Sequence, residues 1–230
     1  MRQVIFEFRE GVKMKKYKYL LFDLDGTITD SFESVANCFV YALKHFGITV
    51  ENIAELRPAL GPPLKDSFIN LYGLGDEEAD IAVEKYRERY KIYNTIENKL
   101  YPGIEEVLCN LKTMGYKLIL ATSKPEEYAI KILKYFNLEK YFYDVSGASF
   151  DKSRSEKEDV LKYLFAKNKI KDLSSVVMIG DRKYDLEAAE KLGIDAIGVL
   201  YGYGDEEELS GYRNVFLALT PEMLYNYLVK

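Results

Sequence analysis

Short apolar runs alternate with amphipathic stretches along most of the chain. Tyr19-Leu20-Leu21-Phe22, Lys117-Leu118-Ile119-Leu120-Ala121, Val176–Ile179 and Ala196–Leu200 read as buried strands, with a shorter one near Phe142–Val145. Helical spacing leads up to Met114 and recurs over Pro125–Tyr135, Glu156–Lys167 and Tyr184–Leu192, with Gly115 and Gly193 as stops. Thr220-Pro221 opens a last short helix with an N-cap and a proline at the first position. Strands alternating with helices predict an α/β fold, a doubly wound (Rossmann-like) parallel sheet.

Residues 30–99 interrupt that alternation. After Thr29-Asp30-Ser31, Val35, Phe39, Ala42 and Phe46 share one face of a helix that stops at Gly47. Helical periodicity continues from Glu51 to Asn98, with loop signals at Gly61-Pro62-Pro63 and Gly73-Leu74-Gly75, and nothing in it reads as a good strand. The expected organisation is a core of residues 14–29 and 100–230, with 30–99 as a helical insert above the strand ends. Residues 1–13 look detached, and Met14-Lys15-Lys16-Tyr17 makes a natural start before the first strand. The codons for Arg9-Glu10-Gly11-Val12 can spell a purine-rich ribosome-binding site, so translation is expected to begin at Met14. The alternative is an extra edge strand from Val4-Ile5-Phe6.

Composition narrows the function classes. At 230 residues, 48% hydrophobic and 30% charged, the chain is an ordinary globular one. No apolar run approaches the roughly 20 residues that span a bilayer, and the N-terminus lacks a secretory pattern. No membrane partner and a cytoplasmic location are therefore expected. Cys38 and Cys109 suggest no disulfide framework, and a single histidine, His45, excludes a Cys/His zinc site. The net charge of −5 argues against a nucleic-acid polymer as partner. It also means that an anionic substrate must be drawn by local cations or a metal.

The polar residues at the strand ends carry the chemistry. Asp23-Leu24-Asp25-Gly26-Thr27 leaves the first strand at its C-terminal end, where open parallel sheets bind ligands. An Asp-Gly turn leaving a strand explains the pentapeptide taken alone; an EF-hand does not, because its glycine stands sixth after a helix. Strand 117–121 ends in Thr122-Ser123-Lys124, Lys157 stands in the loop before helix 156, and strand 176–179 ends in Gly180-Asp181 with Asp185 one turn on. Singly, these are a helix cap, a solvated lysine and exposed helix acids. Together they place polar residues at one sheet edge, as phosphoryl transfer requires. Asp23 serves as nucleophile and Asp25 as proton donor to the leaving oxygen, while Lys157 and Thr122 hold the phosphoryl oxygens. A hard dication, Mg²⁺, resolves the repulsion between Asp23, Asp181 and the phosphate.

With these motifs in order, the sequence resembles the haloacid dehalogenase-like hydrolase superfamily, in its helical-cap branch. It is similar there to phosphoglycolate phosphatase-like and 5′-nucleotidase-like proteins. Gly61-Pro62-Pro63-Leu64 and Gly147-Ala148-Ser149 through Arg154-Ser155-Glu156-Lys157 resemble the second group. The resemblance implies an aspartyl-phosphate on Asp23, and Mg²⁺ held by Asp23, Asp181 and the Asp25 backbone carbonyl, with Asp185 in support. It also implies a cap that closes over substrate. The family lysine usually precedes a proline, whereas Lys157 precedes Glu158, and Lys152 competes for its role.

Gly26, Thr27, Ser123 and Lys124 are candidates for contact with substrate in the core, and Arg57, Gly61 and Lys65 in the insert. Tyr201-Gly202-Tyr203-Gly204 either lines the entrance or forms a loop. A mutase of the same superfamily would carry a histidine in the linker that here reads Phe32-Glu33-Ser34-Val35-Ala36. A phospho-accepting receiver domain would be about half as long and lack the insert. The expected protein is a phosphatase of a small phosphorylated molecule, monomeric or homodimeric.

Overall fold

The computed structural model describes residues 16–60, 63–151 and 153–230. The expectations for Met14 and for a strand at Val4–Phe6 lie outside these, as do Gly61 and Lys152. Strand β1 (Tyr19–Phe22) occupies the middle of a six-stranded sheet. On one side it pairs in parallel with β4 (Lys117–Pro125), and β4 with β5 (Asp144–Ala148). On the other it pairs with β6 (Val176–Gly180), followed by β7 (Asp195–Val199) and β8 (Phe216–Ala218). The strand order β5-β4-β1-β6-β7-β8 reverses direction at β1. That reversal opens a crevice beyond its C-terminal end.

Covered on both faces, β1 is apolar throughout rather than alternating. Leu20 and Phe22 join one buried cluster with residues of α4 (Ile104–Thr113), α5 (Glu126–Tyr135) and α9 (Pro221–Leu228). Leu21 faces the opposite cluster, with α6 (Lys157–Lys167) and α7 (Lys183–Leu192). The two-residue period of a strand thus divides one apolar run between two helical layers.

The insert has a core of its own. Helices α1 (Phe32–Lys44), α2 (Leu64–Tyr72) and α3 (Asp76–Tyr93), with a 3-10 turn at Ile53–Ala59, bury Phe39, Leu43, Leu56, Phe68 and Tyr86 together. Phe39 lies 4.7 Å from Phe68 and 5.3 Å from Tyr86, ring centre to ring centre. Where the chain leaves and re-enters the core, the two linkers pair as a short antiparallel ribbon, β2 (Thr29–Asp30) with β3 (Lys99–Leu100). Arg89, near the end of α3, grips Glu97 in a bidentate pair at 2.6 and 2.7 Å and fixes the return linker.

Several boundaries differ from the sequence reading. The strand expected near Phe142–Val145 runs over Asp144–Ala148, because Phe142 closes a 3-10 turn. β4 continues through Thr122–Lys124 to Pro125 with a shift of register against β5. Short α8 (Glu206–Ser210) and β8 carry too few residues for a periodic signal. Phe39→Ala is expected to lower the unfolding free energy by roughly 3–5 kcal/mol. Urea unfolding measures this, and an unchanged midpoint would mean that the aromatic cluster does not hold the insert.

Candidate active site

Asp23 follows β1 directly, and its backbone N–H bonds Ile179 O of β6 at 2.9 Å. The next residues turn sharply: Ile28 and Thr29 N–H both reach back to Leu24 O at 2.9 Å, and Gly26 N–H reaches Thr29 O at 2.7 Å. Leu24 is fully buried, which anchors the turn between its two flanking acids. Gly26 holds φ +83°, and a Cβ there would overlap the Asp181 carboxylate. The turn therefore needs glycine both for its backbone and for the approach of Asp181.

Asp23, Asp181 and Asp185 form a buried group in which one carboxylate oxygen from each lies within 4.8 Å of the others. Asp181 and Asp185 come from the end of β6 and the first turn of α7. Gly180 lets Asp185 fold back, since a Cβ at that position would overlap its carboxylate. Lys157, at the start of α6, is the counter-charge. Its Nζ donates to Asp23 Oδ1 and to Ala121 O, each at 2.8 Å, and lies 2.7 Å from Asp185 Oδ1. The contact with Asp185 is a buried ion pair. Thr27 Oγ1 and Tyr203 N–H donate to Asp181 at 3.3 and 2.9 Å.

One lysine does not neutralise three acids. Burial, then the charges of Asp23 and Asp185, push the Asp181 carboxyl well above its ordinary range. Burial likewise raises Asp185, against the pull of Lys157. For Lys157 burial acts to lower the ammonium, but Asp185 and Asp23 outweigh it and hold it above its usual value. A buried, all-oxygen donor set with excess negative charge fits a hard dication.

A second lysine serves the second acid. Lys124, buried at the end of β4, lies 2.9 and 2.8 Å from the two Asp25 oxygens, with the Tyr90 ring of α3 5.3 Å from its Nζ. Thr122 is buried beside them and its Oγ1 accepts from Lys124 N–H at 3.1 Å rather than capping a helix.

The structure thus gathers Asp23, Asp25, Gly26, Thr27, Thr122, Lys124, Lys157, Asp181 and Asp185. Ser123 is exposed on β4. Two insert candidates are engaged elsewhere. Lys65 pairs with Asp76 and Asp80 at 3.0 and 2.8 Å, and the Arg57 guanidinium lies 4.9 Å over the Phe32 ring. Sequence reasoning missed the pairing of Lys124 with Asp25. It also missed Arg182, which donates to Leu60 O of the insert while held by Glu208 at 2.9 Å. Arg182 stands next to Asp181, and that adjacency was the available signal.

A doubly wound core that collects acids and lysines at its strand ends, beneath a helical insert, has the architecture of a phosphoryl-handling hydrolase. The chain belongs to the haloacid dehalogenase-like hydrolase family, whose profile matches residues 20–199, and it is a phosphatase of that family. It is 37% identical over 198 residues to a 5′-nucleotidase of Pseudomonas aeruginosa, covering 86% of this chain and 89% of that one. It is 39% identical over 186 residues to the tyrosine-protein kinase PtkA of Mycobacterium tuberculosis, covering 80% and 62% respectively. A crystal structure from Clostridium difficile, assigned as a phosphatase, superposes with a TM-score of 0.87 at 42% identity, over 93% of this chain and 99% of that one.

The raised Asp181 carboxyl gives a signed expectation for the divalent-free protein. Above the ordinary value of 3.8 the native state holds a proton that the unfolded chain has lost. Stability therefore falls as pH rises from about 4 towards the native value. Asp181→Asn removes that repulsion and flattens the slope. Urea unfolding across pH in a chelator measures both, and an unaltered slope in the variant would assign the repulsion elsewhere.

Proposed function

We propose that this chain is a Mg²⁺-dependent phosphatase of small phosphomonoesters that works through a phosphorylated Asp23. The observation that carries the reading is the placement of Asp23: it ends the central strand, pairs with Lys157 at 2.8 Å, and has Asp25 two residues on. An Asp23 oxygen attacks phosphorus, and the bond to the leaving oxygen breaks with its electron pair going to that oxygen. The Asp25 carboxyl gives that oxygen its proton. Asp25 then takes a proton from water as the water attacks the phosphorus on Asp23, and the Asp23–phosphorus bond breaks to regenerate the carboxylate. Lys157 and the Thr122 hydroxyl hold the phosphoryl oxygens, and the insert excludes stray water. Asp23, Asp181, Asp185 and the Asp25 backbone carbonyl are the residues that would hold Mg²⁺, which supplies positive charge against those oxygens.

Two substrate classes are in view, nucleoside monophosphates and phosphoglycolate. Similarity to the Pseudomonas 5′-nucleotidase favours the first. The proposed partner is the small phosphorylated substrate alone, turned over in the cytoplasm by a monomer or homodimer, with neither a nucleic-acid polymer nor a membrane. Phosphate release from nucleoside monophosphates, phosphoglycolate, sugar phosphates and pyrophosphate, with and without Mg²⁺, tests the reading. Asp23→Asn is nearly isosteric and should abolish release while leaving the fold intact. Asp25→Asn should slow alkyl phosphates by ~10²–10⁴-fold, and p-nitrophenyl phosphate less, because that leaving group needs little protonation. Residual Mg²⁺-dependent turnover in Asp23→Asn beyond a trace would defeat the nucleophile assignment.

A further inference from the structure

The loop after β7, Tyr201-Gly202-Tyr203-Gly204, is wound around Asp181. Tyr203 N–H donates to Asp181 Oδ2 at 2.9 Å, and Gly204 N–H donates to the Asp181 backbone carbonyl at 3.1 Å. Gly202 passes so close that a Cβ would overlap both Asp181 Cβ and the Gly26 carbonyl. The backbone of this loop is therefore fixed to the acid cluster, with no room to slide.

Its side chains reach the other way, to the linkers of the insert. Tyr203 OH accepts from Ser31 N–H at 2.7 Å and donates to Asp30 Oδ1 at 3.1 Å, on the outgoing linker. The same Asp30 oxygen accepts the Phe32 N–H that begins α1. Tyr201 meets Tyr101, just past β3 on the return linker, with ring centres 5.0 Å apart. Its hydroxyl donates to Thr27 O at 3.1 Å. One four-residue loop thus touches a candidate metal ligand with its backbone and both linkers with its rings.

We infer that Tyr203 is a positioning residue that couples the acid cluster to the hinge of the insert, so that occupation of the cluster by a divalent cation stiffens the linkers. The inference rests on the reading of Asp181 as a Mg²⁺ ligand. The physical basis is linkage: a cation that fixes Asp181 fixes the Tyr203 backbone, and through a short aromatic side chain its hydroxyl. Ser31 is 1% exposed. Its N–H loses that acceptor when the hydroxyl is removed, and a buried N–H is costly to leave unpaired. Neither Tyr203 nor Tyr201 touches the reacting atoms in this scheme.

The test is hydrogen exchange of the full chain, with and without Mg²⁺, in wild type and Tyr203→Phe. That substitution keeps the ring and the N–H to Asp181 and removes only the hydroxyl. In wild type, Mg²⁺ should slow exchange in peptides covering residues 29–32 and 99–101 and raise the melting temperature. In Tyr203→Phe the melting shift should persist, while exchange at 29–32 becomes roughly tenfold faster and loses most of its response to Mg²⁺. Asp30→Ala removes the acceptor of the Tyr203 hydroxyl together with that of Phe32 N–H, and serves, read by the response to Mg²⁺ and not by the basal rate, if Tyr203→Phe does not fold. The two substitutions combined should cost less than the sum of each. A melting shift with equal Mg²⁺-dependent protection in wild type and both variants overturns the coupling and leaves the metal reading intact. No Mg²⁺-dependent melting shift in wild type overturns both.

Discussion

The site depends on one buried cation standing between two buried acids. Lys157 holds Asp23 and Asp185 from a position 5% exposed, and it also bonds the last carbonyl of the β4 apolar run, Ala121 O. Charges at that depth are tolerated only when paired with good geometry. The pairing dictates where α6 begins, because its first residue must deliver an ammonium to the end of β1. It also leaves Asp181 in excess, and the surrounding turn is shaped by that excess. Gly26 and Gly202 let backbone approach Asp181, and Thr27 and Tyr203 donate to it.

The division between core and insert follows from the same geometry. In the proposed reaction the strand ends supply the groups that act on phosphorus, which is common to any phosphomonoester. The insert supplies the opposite wall. Several of its charged side chains are spent on one another, Lys65 with Asp76 and Asp80, Arg89 with Glu97. What it brings to the acids is aromatic: Tyr90 lies over Lys124 while stacking on Tyr86 and meeting Tyr128 of the core edge-on.

The parallel sheet was legible because a strand buried on both faces leaves a continuous apolar run, and β1, β4, β6 and β7 each do so. The acids and lysines were legible because each follows such a run directly or opens the next helix. What escaped has no local period. β2 and β3 are two residues each, stabilised by pairing with each other across the whole of residues 31–98. Lys124 was visible as a residue but not as the partner of Asp25, since that contact spans two strands and is set by the sheet register. Arg57 and Lys65 stand out by charge alone, and charge does not reveal that α3 already neutralises Lys65 or that Arg57 lies over the Phe32 ring.

A phosphate dianion entering this site meets lysines that are already committed. Lys157 is bound to two carboxylates and Lys124 to a third, on a chain whose net charge is −5. Attraction must therefore come from an exchange in which the phosphoryl oxygens take over contacts that the acids now hold. Such an exchange is unfavourable while the displaced carboxylates stay buried and uncompensated, because each would face the others across a few ångströms of low dielectric. Asp23, Asp181 and Asp185 would hold a dication there, and its charge would compensate the carboxylates displaced from Lys157. Under the proposed Mg²⁺-dependent reaction, divalent binding would thus favour substrate binding, and the two would appear as coupled affinities.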